Sequence, residues 1–240
     1  MSDLSRRSFV TQGSMGLLLP AGIGATAASG TLGDFGQVLQ QEEQPAQNRV
    51  PVQGNPRPAN WNPTEVNILG PYHRVGAPFR AKITPPMEPG TVLVISGRVW
   101  AQDTRRPLAN TVIDIWQANA AGRYDNDDPQ NPPRATVFKN RARVITDENG
   151  YYEYETVEPG NYQIGQNVWR PKHIHYLVRK QGYRQLITQL YFQGDPHNRT
   201  DQFIRQSLII NLQQQQGPNN TRYKTGTFDI VLARQQGNGQ

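Results

Sequence analysis

From about residue 92 onward, apolar and polar positions alternate in short runs that turn residues close off. Successive side chains on a strand point to opposite faces, so this alternation marks strands with one face on a core. The pattern predicts strands over residues 92–100, 111–116, 142–146, 151–155, 173–178, 185–192, 208–212 and 227–232. Turn chemistry such as Asp147-Glu148-Asn149-Gly150 and Glu158-Pro159-Gly160-Asn161 separates them. Helical periodicity is weak, and only a short helix around residues 201–206 is predicted. Eight short strands so spaced predict an all-β chain, an antiparallel β-sandwich with long active-site loops.

Composition agrees with many strands and turns: of 240 residues, 35% are hydrophobic, with 22 Gly and 19 Pro. No cysteine is present, which removes disulfides, iron–sulfur clusters and thiol nucleophiles and leaves His, Tyr, Asp and Glu as metal donors. The formal charge is +6, yet no basic run is longer than Arg6-Arg7 or Arg105-Arg106. A nucleic-acid partner is therefore not expected, since it would call for a basic stripe with interleaved aromatics. A weakly cationic surface suits small anionic substrates such as aromatic acids.

Ser5-Arg6-Arg7-Ser8-Phe9-Val10, a short apolar run and small residues around Ala25-Thr26-Ala27-Ala28 have the order of an export signal. The paired arginines resemble a twin-arginine signal over residues 1–30, which predicts a periplasmic or extracellular protein without a stable membrane anchor. Residues 31–62 read as a Gln/Pro-rich linker or arm, and residues 63–240 as the globular catalytic domain.

The chemistry concentrates in Trp169-Arg170-Pro171-Lys172-His173-Ile174-His175. Two of the four histidines sit two positions apart, so they share a strand face opposite Ile174, Tyr176 and Val178. Such a pair is half of a metal site, with the metal unspecified. Residues 168–190 contain no Asp or Glu to complete a two-histidine, one-carboxylate site. His73 and His197 read as peripheral, and Asp125, Asp127 and Asp128 as a solvated acidic loop.

Longer words carry more. Ile115-Trp116-Gln117-Ala118-Asn119-Ala120-Ala121-Gly122-Arg123-Tyr124, Pro159-Gly160-Asn161-Tyr162, the heptapeptide ending in His175 and Ile187-Thr188-Gln189-Leu190-Tyr191-Phe192 strongly resemble the intradiol ring-cleavage dioxygenases of the catechol and protocatechuate type. The likeness extends over roughly residues 66–232. It implies a non-haem Fe(III) held by Tyr124, Tyr162, His173 and His175, with Arg170 stabilising the reacting ring and Gln189 beside the O2 pocket. The ligand chemistry is consistent, because anionic phenolate oxygens are hard donors that favour Fe(III). The resemblance further implies that a catechol and O2 are the substrates, that Tyr162 takes one catechol proton, and that the product is a cis,cis-muconate-type dicarboxylate.

The helical dimerisation segment of the catechol branch has no counterpart pattern here, so the chain looks more like a protocatechuate-type subunit or a secreted single-domain relative. A homo- or hetero-oligomer fits that branch. The segment between Tyr162 and His173 is short, which leaves the preferred catechol open. The rival class is a non-catalytic sandwich module of the carboxypeptidase-regulatory-like or surface-adhesion kind, which shares the turns but has no use for His173 and His175 beside Arg170.

Overall fold

The computed structural model describes Pro58 and residues 60–236. The expected signal over residues 1–30 and most of the linker lie outside the described residues. The chain divides at Pro51, and every described strand belongs to the Val52–Gln240 unit.

Among the described residues twelve strands form: β1 (Val92–Ala101), β2 (Val112–Gln117), β3 (Arg141–Ile145), β4 (Tyr151–Val157), β5 (Tyr162–Gly165), β6 (Val168–Arg170), β7 (His173–Arg179), β8 (Leu186–Phe192), β9 (Ile209–Ile210), β10 (Gln213–Gln216), β11 (Arg222–Thr227) and β12 (Ile230–Leu232). One sheet has β1 at its centre, with β4 antiparallel on one side and β11 followed by β12 on the other, β10 lying beyond β11. The second sheet runs β3-β2-β7-β8-β9, and β5 pairs with β6 as a separate hairpin. Alternate residues of both sheets meet in one core, including Leu93, Ile95, Tyr154 and Ile230 from the first and Ile113, Ile115, Ile174, Tyr176 and Leu190 from the second. Each such side chain contributes roughly 1.5–3 kcal/mol on burial, which is why the alternation fixes which face turns inward.

The sandwich is as expected, with differences in detail: β5, β6 and β10 are additional strands, and the strand expected at 208–212 is confined to Ile209–Ile210. Its sheets are mixed, because β1 runs parallel to β11 and β12, and β8 runs parallel to β9. The predicted strand at 227–232 is split. The Asp229 carboxylate accepts the Arg98 N–H at 2.8 Å, occupying a donor that a continuous ladder would have used. The predicted helix at 201–206 does not form; a 3-10 turn follows at Gln206–Leu208, and Asp201 instead accepts the Phe203 N–H at 2.6 Å. Local side-chain bonding of this kind competes with helix.

The linker's last aromatic, Trp61, packs edge-on against Trp100 at 5.7 Å. From there the chain runs along the outer face of the second sheet. Asn67 N–H donates to Ile187 O, Gln189 to Ile68 O and Arg141 to Tyr72 O, so this segment roofs the face that carries the histidines. Among the described residues no helix is long and apolar enough to cross a membrane.

Candidate metal centre

The parity of β7 sends Ile174, Tyr176 and Val178 into the core and His173 and His175 to the roofed outer face. Register brings Trp116 of β2 and Gln189 of β8 beside His175, and Tyr191 beside His173. The His175 ring lies flat on Trp116, with centroids 4.8 Å apart and planes 6° from parallel. His173 Nδ1 sits 2.6 Å from the Pro171 carbonyl, which can only accept, so Nδ1 carries the proton and Nε2 offers its lone pair to the site. Burial, then the charge of Arg170, pushes His173 down to about 3. Burial followed by its neighbours His173 and Arg170 likewise drives His175 well below the usual imidazole value. Both rings are neutral at physiological pH, as metal ligands must be.

The two tyrosines arrive on loops that touch. Gly122 has φ +76°, and a Cβ there would stand 2.2 Å from the Asn161 carbonyl oxygen. At Gly160 a Cβ would stand 2.4 Å from Ala120 O. Only glycine at both places lets the backbones approach this closely, and each lies two residues before a tyrosine. Asn119 fastens the turn by accepting the N–H groups of Ala121 and Arg123, and Asp127 accepts the Tyr124 N–H at 3.1 Å. Tyr72 from the roof stacks on Tyr124 at 4.2 Å.

These elements bring four donor atoms together. His173 Nε2 is 3.4 Å from Tyr124 Oη, 3.4 Å from Tyr162 Oη and 3.1 Å from His175 Nε2, which is itself 3.1 Å from Tyr124 Oη. Donors that each lie about 2 Å from one ion have this mutual spacing. Burial raises the Tyr124 phenol well above its ordinary value, with Tyr162 adding to the effect. Burial also raises Tyr162, against the opposing pull of Arg170. A bound cation is the partner that would convert such phenols to phenolates, and two phenolates with two imidazoles fit a ferric ion. Among the described residues no group of three or more His, Cys, Asp or Glu is arranged to hold a metal, so the tyrosines are needed to complete the set.

Arg170 lies next to the cluster, paired with Tyr162 across the β5–β6 hairpin and buried. Its Nε donates to Asp201 at 2.5 Å, and its Nη2 donates to Gln189 Oε1 at 2.7 Å and Tyr191 Oη at 3.3 Å. The guanidinium also covers the Phe203 ring at 4.8 Å. All of the expected residues, Tyr124, Tyr162, His173, His175, Arg170 and Gln189, therefore gather in one place.

Asp201, Tyr191, Trp116 and Tyr72 were not singled out from the sequence. The glycine two places before each tyrosine is the signal in the sequence that bears on how the loops meet. Asp125 corrects the expected solvated loop: its side chain is buried and accepts from Arg74 at 2.7 Å and from Arg141 Nε at 2.6 Å. Two guanidiniums compensate the cost of burying it, and it tethers the Tyr124 loop to β3. His73 meets the edge of Trp116 and His197 stacks on Trp169, and neither adds a ring nitrogen to the cluster.

A family model described as "Dioxygenase" matches residues 68–234. The chain is 34% identical over 199 residues to catechol 1,2-dioxygenase of Acinetobacter baylyi, covering 72% of this chain and 63% of that relative, so it spans less than two thirds of the relative's length. The structure of 3-chlorocatechol 1,2-dioxygenase from Rhodococcus opacus aligns with TM-score 0.66 and 29% identity over 72% of this chain and 73% of that one. The dioxygenase domain of a carbohydrate-binding fusion protein from Streptomyces sp. SirexAA-E aligns with TM-score 0.60 and 33% identity over 72% of this chain and the whole of that domain. With a sandwich of the same kind, a family match over more than half its length and catechol-cleaving relatives, the chain belongs to the intradiol dioxygenase family.

Proposed function

We propose that this protein is an intradiol dioxygenase that cleaves a catechol between its two hydroxylated carbons, adding both atoms of O2 to give a cis,cis-muconate-type dicarboxylate. The observation that carries this is the convergence of two phenol oxygens and two imidazole nitrogens within 3.1–3.4 Å, beside a buried arginine. Tyr124, Tyr162, His173 and His175 would hold a non-haem ferric ion. Bound there, the ion would supply the Lewis acidity that favours the catechol as a dianion and makes its ring reactive towards O2.

The remaining work belongs to the chain. Tyr124 is enclosed by Tyr72 and its hydroxyl contacts both histidines, which suits a permanent donor. Tyr162 is less enclosed, and of the two imidazoles its hydroxyl meets that of His173, which suits the tyrosine that receives a catechol proton at Oη. Arg170 carries a permanent charge against the anion that develops on the ring, a preorganised electrostatic contribution. Gln189 accepts from Arg170 and donates to Ile68 O, so its amide is fixed in one orientation. The roof from Asn67 to Tyr72 keeps bulk water off the cluster. The export pattern around Arg6-Arg7 supports action outside the cytoplasm after folding and metal uptake inside the cell.

The test is to load the chain with iron and measure O2 uptake with catechol, protocatechuate and hydroxyquinol. One O2 consumed per catechol, with a diacid product, is expected. A fully iron-loaded chain inert towards all three would overturn the proposal.

A further inference from the structure

We propose that Asp201 is a positioning residue of this reaction, a buried carboxylate that locks the Arg170 guanidinium by its Nε edge and leaves Nη1 for the reacting anion. The inference rests on the catechol-cleaving reading of the site. The side chains of Arg170 and Asp201 are 5% and 1% exposed, so the pair is cut off from solvent screening. Asp201 cannot swing, because Oδ2 accepts from Arg170 at 2.5 Å while Oδ1 accepts the Phe203 N–H at 2.6 Å. Its own N–H is anchored to the His197 carbonyl at 3.1 Å.

The other sides of the guanidinium are held as well. Nη2 is shared between Gln189 Oε1 and Tyr191 Oη, and the Tyr191 hydroxyl donates to the same Gln189 oxygen at 2.8 Å. Asn67 of the roof donates to Tyr191 Oη at 3.4 Å and to Phe203 O at 2.8 Å, which ties the loop of Asp201 to the segment over the metal site. The Phe203 ring lies against one face of the guanidinium. Nη1 alone makes no hydrogen bond among the described residues. A fork held at Nε and Nη2 has one free nitrogen in one fixed direction, which lysine could not reproduce. Asp201 also neutralises Arg170 before substrate arrives, so the cation can stay buried without drawing in water or a stray anion.

Asp201→Asn keeps the size of the side chain and removes the charge. A displaced charge at a reacting centre costs up to about 100-fold in rate. We expect kcat to fall 30- to 100-fold and KM to stay within threefold, while the visible tyrosinate band of the folded, iron-loaded variant holds; its melting temperature falls, because the Arg170 charge is left buried without its partner. In the iron-free protein, the Arg170 Nε–Hε NMR signal, assigned by its loss in Arg170→Gln, should shift and exchange faster with water in Asp201→Asn. In an Arg170→Gln background, Asp201→Asn should cost no more than a further threefold. If Asp201→Asn fails to fold, Asp201→Glu keeps the charge and moves the guanidinium, and a tenfold loss of kcat with an intact band is expected. Three outcomes would overturn the proposal: near wild-type kcat in the folded variant, an undiminished loss on top of Arg170→Gln, or loss of the band together with kcat in a variant that still folds. A wild-type protein inert towards every catechol would instead remove the reading on which the proposal rests.

Discussion

Opposite faces of β7 put the same side chain, tyrosine, to opposite uses. On the inner face Tyr176 hydrogen-bonds Tyr154, while Tyr152 donates to the Phe228 carbonyl, all three packed among aliphatic side chains. On the outer face Tyr124 and Tyr162 meet two imidazole nitrogens, with Arg170 nearby. Burial raises every one of these phenols. What differs is the company. The inner hydroxyls satisfy one another or a carbonyl, whereas the outer ones converge with two imidazole lone pairs that a cation could share, and the charge of Arg170 favours the phenolate. Burial alone does not make a tyrosine a ligand; convergence with other donors does.

Adjacent residues on β7 give the sharpest contrast. His175→Ala should lower iron affinity by more than about 100-fold, the upper range for losing a mere supporting partner of a ligand. Ile174→Ala should cost about 2–5 kcal/mol of stability and leave the iron content of the folded protein unchanged. Iron analysis and thermal melting of both variants check this, and matching losses of iron would erase the distinction between the faces.

Gly122→Val probes how the outer tyrosines are brought together. Its Cβ would stand 2.2 Å from Asn161 O, so the Tyr124 and Tyr162 loops must separate. Turnover and iron affinity should drop by roughly tenfold or more, as expected for ligands displaced by an ångström. The near-ultraviolet circular dichroism of the inner tyrosines should persist. A variant as active as the parent would show that the close approach is not needed.

The smallest effect is a pH dependence of the iron-free protein. Buried His173 and His175 have depressed pKa values, His173 at about 3, so below about 6.5 the unfolded chain takes up protons that the folded one refuses. Their contribution to stability is present above about 6.5 and lost as the pH falls towards about 3, while the inner phenols do not titrate in that window. Denaturant midpoints of the iron-free protein should fall across this range, and less so in His173→Gln. A flat profile shared by both would place the imidazoles in contact with solvent.

Much of this arrangement could be read from local pattern, and what could not depends on distant partners. The two-residue period placed His173 and His175 opposite Ile174, and the tyrosine words named the other two donors. The β5–β6 hairpin went unseen because its strands have four and three residues and a register shift interrupts them. The strand β10 is a run of four glutamines, without apolar alternation to mark it. Parallel pairing of β1 with β11 joins residues more than a hundred positions apart, as does the roof that covers β7 and β8. Asp201 pairs with an arginine 31 residues away, and Asp125 looked like a surface acid because Arg74 and Arg141 approach it from other parts of the chain.

The most direct measurement is the visible spectrum of the iron-loaded chain beside its Tyr162→Phe and Tyr176→Phe variants. A tyrosinate-to-iron band that shifts or weakens in Tyr162→Phe and is unchanged in Tyr176→Phe is the predicted result. A colourless iron-loaded protein, or a band equally indifferent to both substitutions, would contradict the assignment of the outer tyrosines as metal ligands.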